Sequence, residues 1–408
     1  MLNVSIATES GTTDTTAPSA FRVATGAVVV TTASVLPVFL TGALSVQLSR
    51  DLAFDPSGLG LVVALYFGVS ALCSLPVGMV VERVGSRVTS RIAVVGASVL
   101  MAALALGARS YVALVVLLLC GAWCNVMGQL SSNLTLARSV PAHRMGLSFG
   151  VKQAAIPAAT LLAGLAVPAV ALTVGWRWAY GIGALLALGA LFACPRTDAR
   201  PAGRTGSGDR ATAALAVIGA ASGLAAGTAT ALGIFLVASA VDRGIDPGLA
   251  GLMLTLGSVV GLSVRMLHGW LADMRSGGHV AVVAASLAAG AGGFGLLAVP
   301  GTPALVVGVV LAFGLGWAWP GLLQFAVVRL NPSAPAAATS IVQVGVYAGG
   351  FAGPIVFGSL ATHAGFPTAW TVNAVVMLVS AALMLVGRRM LLAHARRRAE
   401  SGRRLSGS

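Results

Sequence analysis

Twelve long apolar stretches alternate with short polar segments along the chain. Each stretch has about 20 residues, the length at which a helix crosses the hydrocarbon core of a bilayer. They cover residues 24–47, 58–81, 90–108, 111–135, 146–171, 176–194, 211–238, 248–271, 279–299, 304–328, 336–361 and 368–387. This pattern predicts an all-α integral membrane protein with twelve transmembrane helices, here called spans one to twelve. An even number of crossings places both termini on one side.

Composition and charge exclude most other classes of protein. Of the 408 residues 57% are hydrophobic and 9% charged, whereas soluble domains carry about 25% charged residues. The net charge of +14 requires no nucleic-acid partner, because cytoplasmic loops of membrane proteins collect arginine. Of the 25 basic residues, 19 fall on the side of the termini and four on the other. We therefore expect a multi-pass protein of the cell (inner or plasma) membrane with both termini cytoplasmic.

Polar segments divide the chain into five parts. Residues 195–210, PRTDARPAGRTGSGDR, predict a flexible cytoplasmic linker. It separates an N-terminal six-helix bundle at 22–194 from a C-terminal bundle at 211–387. Residues 1–21 predict a disordered cytoplasmic tail, and residues 388–408 a basic cytoplasmic tail.

The two halves resemble each other in sequence. Asp55-Pro-Ser-Gly-Leu-Gly-Leu aligns with Asp246-Pro-Gly-Leu-Ala-Gly-Leu at an offset of 191, and this alignment pairs Gly78 with Gly269 and Glu82 with Asp273. A duplicated six-span unit predicts two pseudo-symmetric bundles and is typical of transporters whose halves rock against each other.

The loop after span two carries a known motif. Gly78-Met-Val-Val-Glu82-Arg83-Val-Gly85-Ser86-Arg87 resembles the Gly-x-x-x-Asp-Arg-x-Gly-Arg-Arg motif of the major facilitator superfamily. Gly269-Trp-Leu-Ala-Asp273 after span eight resembles its second copy. The resemblance covers about residues 22–390 and implies that superfamily's fold and its alternating-access transport.

The motif residues predict a conformational latch that holds the cytoplasmic side closed in the outward-open state. Gly78 would let two helices approach closely, and Glu82 would bind an arginine or a helix N-terminus. The alternative is a loop whose charges only set topology. The predicted latch residues are Gly78, Glu82, Arg83, Gly85, Arg87, Gly269 and Asp273.

Two cations and no carboxylate lie deep within the predicted spans, away from the span ends. Lys152 lies in span five and Arg265 in span eight, and embedded charges are costly unless they face a wet cavity. We expect both to bind an anion, with Arg265 holding a carboxylate in a bidentate fork. The alternatives are that Lys152 snorkels to the interface and that Arg265 pairs within the protein.

A finer resemblance concerns span eight. Arg265-Met-Leu-His-Gly269-Trp-Leu-Ala-Asp273 is similar to the pattern of monocarboxylate and oxalate–formate transporters, where an Arg helps to hold the carboxylate. The chain departs from those groups because spans one and eleven contain no Lys.

Polar and aromatic side chains within the spans complete the predicted substrate site. Asn125, Gln129 and Asn133 share one face of span four, with bonding between helices as the alternative. The aromatic side chains that could stack on substrate, or only pack, include Trp319. The full predicted set of substrate-binding residues is Lys152, Arg265, Gln153, Gln343, Asn125, Gln129, Asn133, Gln324, Tyr347 and Trp317.

We therefore predict a monomeric secondary transporter, not an enzyme, which moves a small-molecule solute, an organic anion, across the lipid bilayer. The five His and four Cys are scattered and predict neither a catalytic nor a metal site. No cofactor is expected, and coupling to protons or a counter-solute stays open. The alternatives are an efflux pump for multiple drugs or hydrophobic compounds and a membrane sensor that does not transport.

Overall fold

The computed structural model describes residues 20–139, 150–195, 211–275, 277–331 and 335–406. Every regular element within these ranges is a helix. The predicted N-terminal tail, up to residue 19, and the predicted linker, from residue 196 to residue 210, lie outside the described residues.

Ten of the predicted spans appear as separate helical segments. A short helix, Ser45–Leu52, follows span one. Spans five, six and ten change helix type along their length, because a π or 3₁₀ segment interrupts or ends the α-helix. The helix bounds of spans one to ten are Ala20–Ala43, Pro56–Val84, Ser86–Gly107, Tyr111–Ser139, residues 150–153 with Ala155–Ala166 and Val167–Ala171, Trp176–Gly189 with Ala190–Ala193, Thr212–Asp242, Pro247–Met274, His279–Leu296, and Thr302–Leu311 with Ala312–Gly316 and Trp319–Leu330.

Spans eleven and twelve are two helices that meet at a kink within the segment Pro335–Ser406. Gly365 inside it has φ 80° and ψ 160°, a conformation that glycine adopts readily and that breaks the helix into two crossings. The predicted all-α fold with twelve transmembrane helices is confirmed. The helix of span twelve runs on to Ser406, so that most of the predicted basic tail at 388–408 is helical.

The duplicated Asp-Pro sequence begins one helix in each half. The Oδ1 atom of Asp55 accepts a hydrogen bond from the Gly58 amide at 2.8 Å, at the start of span two. Asp246 accepts from the Gly248 amide at 2.8 Å and the Leu249 amide at 3.1 Å, at the start of span eight. The proline that follows each Asp suits the first helical turn, where no intrahelical donor is needed. The repeat therefore encodes equivalent helix starts.

Glycines bring spans seven and eleven into backbone contact within the second half. A Cβ atom at Gly223 would lie 2.7 Å from the carbonyl oxygen of Gly345, and one at Gly227 would lie 3.0 Å from that of Gly349. Apolar side chains gain little from leaving lipid for another helix, so this close packing is what holds the two helices together.

Among the described residues, the two halves meet mainly along three pairs of spans. Spans one and seven touch at Gly42 and Ile234, and spans two and eleven touch from Phe67 and Gly350 to a hydrogen bond of 2.9 Å between the hydroxyls of Ser57 and Thr362. Both contacts lie away from the side that carries Arg83, Arg87, Arg275 and Arg329, here called the Arg-rich side. The opposite side, here called the far side, is therefore closed.

Spans five and eight form the third pair, and their contact extends along most of both helices. A Cβ at Gly164 would lie 2.6 Å from the Gly251 carbonyl oxygen near the far side. A Cβ at Gly150, toward the Arg-rich side, would lie 2.9 Å from the Arg265 carbonyl oxygen and 3.2 Å from Cα of Gly269.

We expect Gly223→Ala to lower the melting temperature of the purified protein by several degrees, because the added methyl group would force spans seven and eleven apart at a cost of about 1–3 kcal/mol. Gly292→Ala is the matched control, since Gly292 lies exposed in span nine and a Cβ added there would meet no atom within 4 Å. Differential scanning fluorimetry in detergent measures both, and equal melting temperatures for the two variants would contradict the packing role.

Candidate substrate site

A cavity of about 160 Å³ lies between the two halves, on the Arg-rich side of the contact between Phe67 and Gly350. Spans one, two, four, five, seven, ten and eleven all contribute to its wall. The lining residues are Val35, Phe39, Phe67, Asn125, Gln129, Leu130, Asn133, Lys152, Gln153, Ile156, Ala226, Thr230, Trp317, Trp319, Pro320, Leu323, Gln324, Val327, Thr339, Val342, Gln343, Val346, Tyr347 and Gly350.

Lys152 is the charged residue of this wall, and none of the described lining residues is Asp or Glu. Its side chain is 3% exposed, and its Nζ atom donates a hydrogen bond of 2.8 Å to Oε1 of Gln129 on span four. Lys152 therefore faces the interior between the halves and not the lipid interface, and the cavity is electropositive.

The amides of both halves face the cavity. Asn125, Gln129 and Asn133 line it from span four, as their spacing indicates, and Gln153 lines it from span five. Gln324 and Gln343 line it from the second half. Their binding of substrate stays a prediction, and their placement supplies hydrogen-bond donors and acceptors around Lys152.

Aromatic rings form the rest of the wall. The ring centroids of Phe39 and Trp317 lie 5.9 Å apart, so that span one meets span ten here. Tyr347, placed in the site by the sequence, also lines the cavity. Phe39, Phe67 and the hydroxyl of Thr230 were not predicted. Apolar positions inside a span carry no signal that separates a cavity wall from a lipid-facing surface.

Arg265 lies behind the cavity wall and binds backbone carbonyl groups there. It is buried to 2% exposure but does not line the cavity. One terminal nitrogen donates to the backbone carbonyl of Gln153 and the other donates to that of Trp317 at 2.6 Å. Its guanidinium carbon lies 5.7 Å from the centroid of the Trp317 ring. The fork that was expected to hold a substrate carboxylate holds the protein backbone in this structure, and its role in binding substrate stays a prediction.

Both carbonyl groups that Arg265 binds lie at breaks in helices, where they have no intrahelical N–H donor. An α-helical carbonyl at residue 153 would accept from the amide of residue 157, but Pro157 has no N–H group to give. Trp317 follows the π segment Ala312–Gly316 and precedes the helix that begins at Trp319. Arg265 therefore joins a break in the first half to a break in the second, directly behind the cavity wall.

A family model for the major facilitator superfamily matches residues 24–222 and again residues 215–406. The chain belongs to the major facilitator superfamily. The two matches correspond to the two halves, and they support a membrane transporter with the predicted superfamily fold. The finer resemblance to monocarboxylate and oxalate–formate transporters is not confirmed.

Solved transporters of this superfamily share the fold. A bacterial homologue of the human lysosomal transporter Spinster, in an inward-facing and unoccupied conformation, has a TM-score of 0.73 at 14% identity, over 92% of this chain and 98% of its own. The human organic anion transporter MFSD10 (TETRAN) has a TM-score of 0.65 at 17% identity, over 90% of this chain and 100% of its own. A search of curated proteins gave no match.

The superfamily motif lies at the Arg-rich side, where its charged residues are exposed. Glu82 and Arg83 are exposed, and Gly85 has φ 92°, which favours glycine and allows span three to begin at Ser86.

A Cβ at Gly78 would meet only a methyl of Leu130 at 3.7 Å, so the expected close approach does not occur there. Gly269 does pack closely, against Gly150. Arg87 and Asp273 are also exposed, and the latch role of the set stays a prediction.

We expect Arg265→Met to lower the melting temperature of the transporter by several degrees. The apolar side chain leaves two buried carbonyl groups without a donor, at about 1–3 kcal/mol each. Arg265→Lys should recover only part of the loss, because an ammonium group lacks the planar fork that reaches both carbonyls.

Arg109→Met, at an exposed loop position, is the control. An Arg265→Met protein that melts like the wild type but no longer binds carboxylates would contradict the backbone role and favour direct contact with substrate.

Proposed function

We propose that this transporter carries small organic anions, and that Lys152 binds the anionic group. The observation that carries the proposal is the charge of the cavity wall: a buried lysine with no carboxylate among the described lining residues. A buried charge is costly unless it is paired. An anion that enters from water would supply the missing counter-charge.

The hydrogen bonding of Lys152 leaves room for such a partner. An ammonium group has three donors, and the bond to Gln129 is the one that joins Nζ to another described side chain. A carboxylate that accepts from the remaining donors would form charge-assisted hydrogen bonds, which are stronger than neutral ones. Amides at Gln129 and Gln153 would flank it.

Arg265 would favour the anion without touching it. Its guanidinium binds the carbonyl of Gln153, the residue that follows Lys152 in span five. Its positive charge therefore adds to the potential of the cavity from behind the wall, where little water screens it.

The closed far side and the cavity on the Arg-rich side fit one state of an alternating-access cycle. We propose that the Arg-rich side faces the cytoplasm, because arginine collects there. The other state would require that the contacts of spans one with seven and two with eleven separate. The cycle would need no cofactor and one copy of the chain.

A transporter of similar fold supports the proposal, whereas the aromatic residues of the cavity wall are also compatible with a different substrate class. MFSD10 is described as an organic anion transporter, although 17% identity shows the fold alone. Rings at Phe39, Phe67 and Trp317 would also suit a hydrophobic cation of the kind that drug pumps carry. The positive charge of Lys152 would repel such a cation.

Binding of phenylacetate and of tetraphenylphosphonium to the purified transporter tests the proposal by isothermal titration calorimetry. We expect phenylacetate to bind the wild type and to bind Lys152→Met about 10- to 100-fold more weakly, the range expected when a charged hydrogen bond is lost. Lys152→Arg should retain part of the affinity. Arg109→Gln, which removes a cation outside the cavity, should bind like the wild type.

Two other outcomes would decide against the proposal. Binding of tetraphenylphosphonium without binding of any carboxylate would identify a pump for hydrophobic cations. Carboxylate binding without flux into proteoliposomes would identify a sensor on the same scaffold.

A further inference from the structure

Two residues of the cavity wall each have a buried polar atom with no hydrogen-bond partner among the described residues. The atoms are Nε1 of Trp319, a donor, and Oδ1 of Asn125, an acceptor. Trp319 is 2% exposed and Asn125 is 3% exposed, and both residues line the cavity. A buried polar atom left unpaired costs about 1–3 kcal/mol, so such atoms beside a cavity indicate a ligand that pairs with them.

Neighbouring hydrogen bonds determine which end of the Asn125 amide is free. The hydroxyl of Ser70 donates to the carbonyl of Ala122 at 3.0 Å. Because a hydroxyl has one proton, Ser70 can only accept from Asn125, and the Nδ2 atom of Asn125 lies 3.4 Å from it. The Oδ1 atom is therefore the end without a partner.

The indole of Trp319 differs from buried indoles elsewhere in the chain. Trp370 donates from Nε1 to the hydroxyl of Ser239 at 2.8 Å, and Trp176 donates to Oδ2 of Asp51 at 2.7 Å. Neither residue lines the cavity. Among the described residues, the protein supplies acceptors to these two indoles and none to that of Trp319, a residue of the cavity wall.

We propose that Trp319 and Asn125 bind a hydroxyl group of the substrate, and that the transported anions are hydroxylated organic acids. A hydroxyl can accept from the Trp319 N–H and donate to the Asn125 oxygen, which a ketone or an ether cannot do. This inference rests on the proposed function, in which Lys152 holds the anionic group. The two residues lie on spans four and ten, so that the hydroxyl would contact both halves.

Matched pairs of acids that differ by one hydroxyl test the inference on the full-length purified transporter. The pairs are mandelate with phenylacetate and lactate with propionate, measured by isothermal titration calorimetry. We expect the hydroxy acid of at least one pair to bind the wild type about tenfold more tightly, since a site built for a hydroxyl discriminates against the analogue that lacks it.

Variants assign the preference to the two residues. Trp319→Phe and Asn125→Leu should each weaken binding of the hydroxy acid and leave its deoxy partner nearly unchanged, so that the preference falls to about twofold. Trp370→Phe is the control, because it removes an indole hydrogen bond outside the cavity, and it should retain the tenfold preference.

The outcomes separate this inference from the proposed function. If both acids of each pair bind equally and Lys152→Met abolishes that binding, the hydroxyl subsite is wrong and the anion site stands. If both Trp319→Phe and Asn125→Leu still bind the hydroxy acid more tightly than its deoxy partner to the same degree as the wild type, these residues do not bind the hydroxyl. If no acid of either pair binds the wild type, both proposals fail. Should Trp319→Phe not fold, the acid pairs on the wild type and on Asn125→Leu still decide.

Discussion

Backbone carbonyl groups that lose their helical partner must find another donor when no water is at hand, and the centre of this transporter is built around that constraint. Pro157 frees the carbonyl of Gln153 in one half, and the change from π to α geometry frees that of Trp317 in the other. A single guanidinium, that of Arg265, satisfies both. The planar fork of arginine suits this task because its donors point in fixed, divergent directions.

The same contact shapes the cavity from behind. Gln153 and Trp317 present their side chains to the cavity while their carbonyl groups face Arg265. The polar wall is thus fixed at the points where the helices break, which is where transporters of this kind place their sites. The anion specificity proposed above rests on Lys152 in this wall and Arg265 behind it, with no carboxylate among the described lining residues.

Much of the candidate site could be predicted because a polar side chain inside an apolar span must face either a cavity or another helix, since lipid cannot satisfy its hydrogen bonds. Asn125, Gln129 and Asn133 share one helical face, and the cavity is the place where that face meets water. The hydrogen-bond partners of Arg265 could not be predicted in the same way, since they belong to two other spans. Pro157 was a visible signal that the carbonyl of Gln153 would be free, but its partner depends on how the halves pack. Phe39 and Phe67 could not be distinguished from residues that face lipid.

The three pairs of spans that join the halves differ in how far their contact extends. Among the described residues, spans one with seven and two with eleven meet toward the far side, whereas spans five and eight stay packed from Gly164 and Gly251 to Gly150 and Gly269. Small residues along this last pair give it a smooth surface on which one helix can roll over the other. Spans five and eight would then act as a pivot, and a tilt of one half about them would exchange the open and closed faces while that pair stayed in touch.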